Sequence, residues 1–294
     1  MSTVLVTGGR GMLGRDVISA LQAAGHHAEA PGRDALDIVR PDSVRAAFTS
    51  VRPDIVVNCA AYTAVDAAET DEAAAQRVNG AGPQHLAEAC AATGARLLHV
   101  STDYVFAGEA DEPGVPYAED SPTGPRTAYG RTKLQGEHSV LTTLPSTGTV
   151  LRTAWLYGVG GPNFVVTMVR LARERGMVDV VADQYGQPTW TADLAARIVE
   201  LAERPPVPGV LHATNGDETT WYGLAREVFT LLGADPERVR PVGTADFPRP
   251  AHRPARSTLG HNRWTETGLS PMRHWRAALH AAWPHLNARG DEPR

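Results

Sequence analysis

Cysteine is scarce in this chain: Cys59 and Cys90 are the only two in 294 residues. Both sit in apolar contexts and neither has a partner at metal-ligand spacing. Two reduced, buried thiols are therefore expected, not a disulfide framework or a metal cage. Long apolar runs are missing as well. Nothing approaches the roughly 20 residues that a membrane-spanning helix requires, and Met1-Ser2-Thr3-Val4-Leu5-Val6 enters a strand at once, with no space for a signal peptide. A cytoplasmic protein with no membrane attachment is expected. Positive charge is not in excess: the formal net charge is −5 and the arginines are scattered among acids, which excludes the clustered basic face of a general nucleic-acid binder. Internal repeats and low-complexity tracts are also absent. Apolar residues are plentiful, at 42%, enough for the core of one large domain or two modest ones.

The first half of the chain alternates strand-like and helix-like segments. A β-branched run at residues 3–7 leads into glycines. After them Leu13, Val17 and Leu21 recur every four residues on one helix face, with Gly25 placed to end the helix. Residues 54–59, 96–100 and 149–152 read as buried strands, and 71–79 and 83–93 as alanine-rich helices. This pattern predicts an α/β fold, a Rossmann-like doubly wound parallel sheet with helices on both faces. Beyond Tyr157 the alternation loosens while proline, glycine and tryptophan become frequent, which predicts a smaller mixed C-terminal lobe. The expected division is a dinucleotide-binding domain over 1–155 and a substrate lobe over 156–294. The helix 193–203 is expected to pack back on the first domain, and the polar end 287–294 to fray.

Gly8, Gly11 and Gly14 lie between the first strand and the first helix. Glycines there let the backbone approach a pyrophosphate, which then sits on the positive N-terminal end of the helix. Gly8, Arg10, Gly11, Met12, Leu13 and Gly14 are the candidate contacts. The loop after the second strand is where a dinucleotide site reads the adenosine ribose. An acid there suits NAD, whereas Arg33 suits the 2′-phosphate of NADPH, although Asp34 stands beside it and a solvated arginine is the plain alternative. NADPH is the expected cofactor, with NADH as the alternative. Asp37 and Ile38 are placed for the adenine edge, and Ala60-Ala61-Tyr62-Thr63 for the nicotinamide ribose, because ligands sit at the carboxyl ends of parallel strands.

Reducing a ketone with hydride leaves an alkoxide that needs a proton. Tyr129 and Lys133, one helical turn apart, form Tyr-x-x-x-Lys: a phenol to donate and a cation to lower its pKa. Thr102, at the end of the strand 96–100, adds a hydroxyl for the same oxygen. Tyr-x-x-x-Lys alone is common on exposed helices. Following a glycine turn and a strand-end threonine in this order, it points to a nicotinamide-dependent ketone reductase.

With these motifs the chain resembles the extended short-chain dehydrogenase/reductase superfamily, and within it the dTDP-4-dehydrorhamnose reductase family. The narrower likeness rests on Asn58-Cys59-Ala60-Ala61-Tyr62-Thr63-Ala64-Val65-Asp66, Ser101-Thr102-Asp103-Tyr104-Val105-Phe106 and Tyr129-Gly130-Arg131-Thr132-Lys133-Leu134-Gln135-Gly136-Glu137. It extends through Arg152-Thr153-Ala154-Trp155-Leu156-Tyr157, Asn163-Phe164, Asp183-Gln184-Tyr185-Gly186-Gln187-Pro188-Thr189 and Pro250-Ala251-His252-Arg253-Pro254-Ala255-Arg256-Ser257. The resemblance implies NADPH-dependent reduction of the C4 ketone of dTDP-4-dehydro-L-rhamnose to dTDP-L-rhamnose. It implies Tyr129 as proton donor, Lys133 as its tuner and the holder of the nicotinamide ribose, and Thr102 on the C4 oxygen. Val65, Asp103, Tyr104, Trp155, Asn163 and Arg253 are implied around the nucleotide sugar. Some family members are magnesium-dependent homodimers. A homodimer is carried over as an expectation, but no carboxylate cluster here calls for a metal.

Other readings stay open on sequence. A related dTDP-4-keto-sugar reductase of antibiotic pathways, such as dTDP-dihydrostreptose synthase, would share the site and differ in the sugar pocket. A non-catalytic regulatory subunit of the same fold would not need Thr102, Tyr129 and Lys133 intact. Trp155 has a core role as its plain alternative, Gln187-Pro188 reads as a structural turn with a cis bond as an option, and Arg253 and Arg256 either clamp the pyrophosphate or stay solvated.

Overall fold

The computed structural model describes residues 1–109 and 114–287; the tail expected to fray lies outside them from residue 288 onward. Six parallel strands form the central sheet: β1 (Thr3–Thr7), β2 (His27–Glu29), β3 (Ile55–Asn58), β4 (Arg96–Thr102), β5 (Gly148–Thr153) and β6 (Gly209–His212). Their spatial order is β6-β5-β4-β3-β1-β2. β3 and β4 are fully or almost fully buried because helices cover both faces, so their apolar residues run on without alternation. From β1 the chain proceeds to β2 on one side and β3 on the other. That reversal opens a crevice at the carboxyl ends of β1 and β3.

The helix Met12–Ala23 follows β1 and buries Leu13, Val17 and Leu21, as their spacing predicts. On the same face of the sheet lies the helix Thr191–Glu203, whose Leu194, Ile198 and Leu201 share that core. It runs into β6, so residues 191–212 add a helix and an edge strand to the sheet after the chain has left it. The opposite face is covered by Pro41–Val51, Gly82–Thr93 and Ala128–Thr143. The helices expected over 71–79 and 83–93 are joined by a π-helical turn, Arg77–Ala81.

The remaining C-terminal residues form a separate core. The helices Phe164–Glu174, Trp221–Leu231 and Trp275–Asn287 pack Val165, Met168, Val169, Leu224, Phe229 and Leu279 around the parallel pair Val178–Val181 and Val239–Val242. Among the described residues no helix is long and apolar enough to cross a membrane, and no group of three or more His, Cys, Asp or Glu comes together to hold a metal.

Candidate active site

A cleft of about 1380 Å³ lies over the carboxyl ends of the strands, between the sheet and the C-terminal core. One side is main chain. Gly8 has φ +67°, and a Cβ on it would lie 2.7 Å from the Ala60 nitrogen. A Cβ on Gly14 would lie 2.8 Å from the Gly9 Cα and closer still to the Gly8 oxygen. These glycines bring the turn onto the helix and onto the segment after β3. Gly11 is different: a Cβ there would meet only the Gly8 oxygen, at 3.2 Å, so it faces open space. No side chain caps the helix behind it, which leaves free N–H groups aimed at the cleft, an anion site. Arg10, Met12 and Leu13 line the same turn.

Arg33, Asp37 and Ile38 border the cleft beyond the turn. The Arg33 side chain is 79% exposed, with its Nε 3.6 Å from Asp37. Asp37 Oδ1 accepts from the Val39 nitrogen and its own N–H donates to Ser43, so this residue shapes the loop it sits in. Ala60, Ala61, Tyr62 and Thr63 line the floor. They are held by two asparagines the sequence reading did not single out. Thr7 Oγ1 donates to Asn58 Oδ1 (2.6 Å), which also accepts from the Ala60 nitrogen. Asn79, turned inward by the π-helical turn, accepts from the Tyr62 nitrogen (2.8 Å), donates to the Tyr62 oxygen and donates to Thr132 on the helix that carries Tyr129. π-helical turns recur at functional sites because they re-aim one side chain in this way.

That helix, Ala128–Thr143, is capped by Thr127 Oγ1, which accepts from the Gly130 nitrogen, and by Glu69, which accepts from the Ala128 nitrogen. Gly130 lies so close to Tyr104 that a Cβ would come within 3.1 Å of its carbonyl carbon. This contact presses the start of the helix onto the end of β4 and brings Tyr129 to Thr102. Thr102 Oγ1 donates to Asp103 Oδ1 (3.0 Å) and accepts from the Tyr104 nitrogen (3.2 Å). Lys133 is 2% exposed, and its ammonium donates to the Val100 oxygen at 2.6 Å. It is the only lysine in the chain; every other one of the 28 Lys and Arg residues is arginine.

Burial sets the protonation states here. Desolvation pulls Lys133 down to about 8, opposed by Glu137. Desolvation also drives the Tyr129 phenol above its ordinary value, with the Thr102 hydroxyl pulling the other way. Burial outweighs the other influences on Tyr129, and the Lys133 ammonium donates to the Val100 carbonyl. The phenol is therefore neutral and carries its proton. Asp103, buried and partly offset by Ser257 and Thr102, is pushed up to about 6.

The far wall of the cleft is side chain. Thr102 sits opposite Thr153 in the β4–β5 register, so Trp155 begins the chain's exit directly beside the hydroxyl pair. Trp155 has φ +47°, rare for a bulky residue. Its indole stacks on Trp221 at 3.6 Å and 8°, with Phe164 against the other ring. Gly186 makes room for it: a Cβ there would lie 2.5 Å from the indole Cε2. Trp155, Trp221, Phe164, Val65, Asp103 and Tyr104 all line the cleft. Arg253 also lines it, but its guanidinium is already engaged with both Asp66 oxygens at 2.8 Å. It faces the Tyr104 phenol, which burial pushes up to about 12 against the pull of Arg253.

Two placements, those of Asn163 and Arg256, differ from expectation. Asn163 does not line the cleft; it caps the helix Phe164–Glu174 by accepting from the Val166 nitrogen and donates to the Gly158 and Gly161 oxygens, which engages both of its amide hydrogens. Arg256 is neither a clamp nor solvated: it pairs with Glu218 and lies over the Tyr185 ring. Gln187 exchanges two hydrogen bonds with the Leu259 backbone, the structural role expected of it, and its bond to Pro188 is trans.

The model of the RmlD substrate binding domain family matches residues 1–287. The chain belongs to this family. It is 57% identical to a probable dTDP-4,6-dihydroxy-2-methyloxan-3-one 4-ketoreductase of Streptomyces antibioticus, over 98% of this chain and 97% of that one. It is 55% identical to a dTDP-4-dehydrorhamnose reductase of Streptomyces griseus, over 98% and 95%. A crystal structure of dTDP-4-dehydrorhamnose reductase from Bacillus anthracis str. Ames in complex with NADP superposes with a TM-score of 0.90, at 36% identity over 96% of this chain and 98% of that one. The glycine turn, which would not tolerate a Cβ at Gly8 or Gly14 and stands open at Gly11, fits a dinucleotide such as the NADP of that relative.

Proposed function

We propose that this protein reduces the C4 ketone of dTDP-4-dehydro-L-rhamnose to dTDP-L-rhamnose with NADPH. The observation that carries the reading is the convergence of a protonated phenol, a strand-end hydroxyl and a buried ammonium at one end of a cleft whose other end is a glycine-lined anion site. When bound, the nicotinamide supplies the hydride. Tyr129 gives its proton to the C4 oxygen as charge develops there. Thr102 turns its hydroxyl from Asp103 toward the same oxygen. Lys133 holds positive charge at the site and would bond the nicotinamide ribose. Gly8, Gly11 and Gly14, with Arg10, Met12 and Leu13, would cradle the pyrophosphate, and Arg33 would face the 2′-phosphate. The stacked Trp155 and Trp221, with Val65, Tyr104 and Arg253, would bound the nucleotide sugar.

The Streptomyces antibioticus relative supports a second reading, in which the same chemistry acts on a related dTDP-4-keto-6-deoxy sugar. NADPH consumption with enzymatically generated dTDP-4-dehydro-L-rhamnose, with the product identified, tests both. Rapid oxidation to dTDP-L-rhamnose supports the first reading. Oxidation only with another dTDP-4-keto sugar moves the assignment to the second, and NADPH binding without oxidation of either overturns the reductase.

A further inference from the structure

Directly beneath the relay is a buried ionic cluster that the reaction as described does not use. Glu137 lies one turn beyond Lys133 on the same helix and is 1% exposed. Arg152, on β5 and 4% exposed, donates to it from Nε (3.0 and 3.2 Å) and from Nη2 (2.7 Å). Ser101 Oγ, adjacent to Thr102, donates to the same carboxylate. Arg152 also donates to the Glu119 oxygen and lies over the Phe106 ring.

Every element packed around Lys133 brings titratable groups to it. From the end of β3 comes the Cys59 thiol, which burial pushes up to about 12, hence neutral. From β4 comes His99, buried and held well below its ordinary value, hence also neutral. β5 supplies Arg152, and the helix itself supplies Tyr129 and Glu137. Asp103 faces Tyr129 and Thr102. Arg152 thus binds the Glu137 carboxylate directly, and the buried Lys133 lies one helical turn from it and feels its charge.

We propose that Glu137 is a positioning residue of the relay, the counter-charge that keeps the Lys133 ammonium charged and its helix registered on β4 and β5. The inference rests on Lys133 acting in the relay. Ser101 and Arg152 fix the carboxylate, and the carboxylate spaces the helix so that Lys133 meets Val100 and Tyr129 meets Thr102. Without it, two cations would share a dry site, and the more easily deprotonated one, the lysine, would give up its proton.

The single lysine makes this directly measurable. Protein grown with lysine carbon-13 labelled at Cε gives one lysine resonance, whose shift against pH reads Lys133 alone, with no substrate present. Glu137→Gln should lower the proton affinity of Lys133 by about tenfold or more, and the basic limb of kcat/KM should move down in pH by the same amount. Glu137→Asp, which keeps the charge, should restore most of both. Arg152→Gln removes the competing cation and should move the lysine titration the opposite way. A Lys133 titration unchanged in Glu137→Gln and in Arg152→Gln overturns the proposal and leaves the cluster as packing. If Glu137→Gln does not fold, the direction of the Arg152→Gln shift decides alone. Because the resonance is read without a sugar, failure of this proposal is distinguishable from failure of the substrate assignment, which shows as absent turnover in the unsubstituted protein.

Discussion

At Gly8 and Gly14 the cleft wall is main chain at the limit of contact, whereas at Trp155, Trp221 and Arg253 it is large side chains drawn from three distant stretches. The first wall has almost nothing to substitute; its shape follows from omitted Cβ atoms and one turn of helix. The second is held by mutual contacts: an indole at φ +47° kept in place by a stacked neighbour and by the absence of a side chain on Gly186, and an arginine tied to Asp66 across 187 positions of sequence. Such a left-handed tryptophan persists only where surrounding structure over-determines it. A backbone wall suits a ligand part that never varies, the pyrophosphate of a dinucleotide. A side-chain wall suits the part that differs between relatives, the sugar.

If that division holds, variants on the two walls should separate cleanly, with the relay between them affecting neither affinity. The largest effect is expected from Tyr129→Phe, which should lower kcat by about 10²- to 10⁴-fold while a fluorescence titration finds NADPH affinity unchanged. Near-normal turnover in that variant would remove Tyr129 as proton donor. Gly14→Ala should weaken NADPH binding by at least about tenfold and cost about 1–3 kcal/mol of stability, measured by titration and by chemical denaturation. Unaltered cofactor affinity would break the idea of a backbone wall.

Trp221→Ala should raise KM for the dTDP-sugar several-fold, in line with about 1 kcal/mol for a lost aromatic contact, and leave the NADPH Kd alone. A matching rise in both would mean the two walls are one structural unit.

The pH profile sharpens the position of the relay between them. Lys133 is lowered from 10.5 to about 8, so its charged form is present below that and lost above it. The free-enzyme kcat/KM should therefore fall as pH rises through about 8. Stability should move the other way. Between about 8 and 10.5 the unfolded chain holds a proton on this lysine that the folded chain does not, so stability rises with pH across that window. Chemical denaturation across the same range checks the sign. The smallest effect belongs to Arg33→Ala. With a side chain 79% exposed, it should weaken NADPH a few-fold and NADH hardly at all, as competition titrations would register.

The contrast between the walls also explains what could be read in advance. Gly8, Gly11 and Gly14 act through what they lack, and Tyr129 and Lys133 through spacing within one helix; both are local properties, visible in a string of letters. Asn79, Glu137 and Trp221 were not singled out because each works across elements. Asn79 needs a π-helical turn to point inward, Glu137 needs Arg152 from another strand, and Trp221 needs Trp155. Asn163 shows the reverse: a residue in the right stretch whose side chain caps a helix and ties down the loop before it.

By itself the sequence determined the alternation that makes a parallel sheet, the glycine turn that opens the first helix, and the pairing of a phenol with the chain's one lysine, because strand periodicity, glycine's missing Cβ and helical spacing are all short-range. Only the tertiary structure decided that residues 209–212, beyond the helix expected to pack back, add an edge strand to the sheet, that Lys133 spends its hydrogen bond on Val100 and shares its burial with Glu137, and that Arg253 belongs to Asp66. Desolvation and ion pairing depend on which distant groups arrive at the same place, and no run of neighbouring residues encodes that.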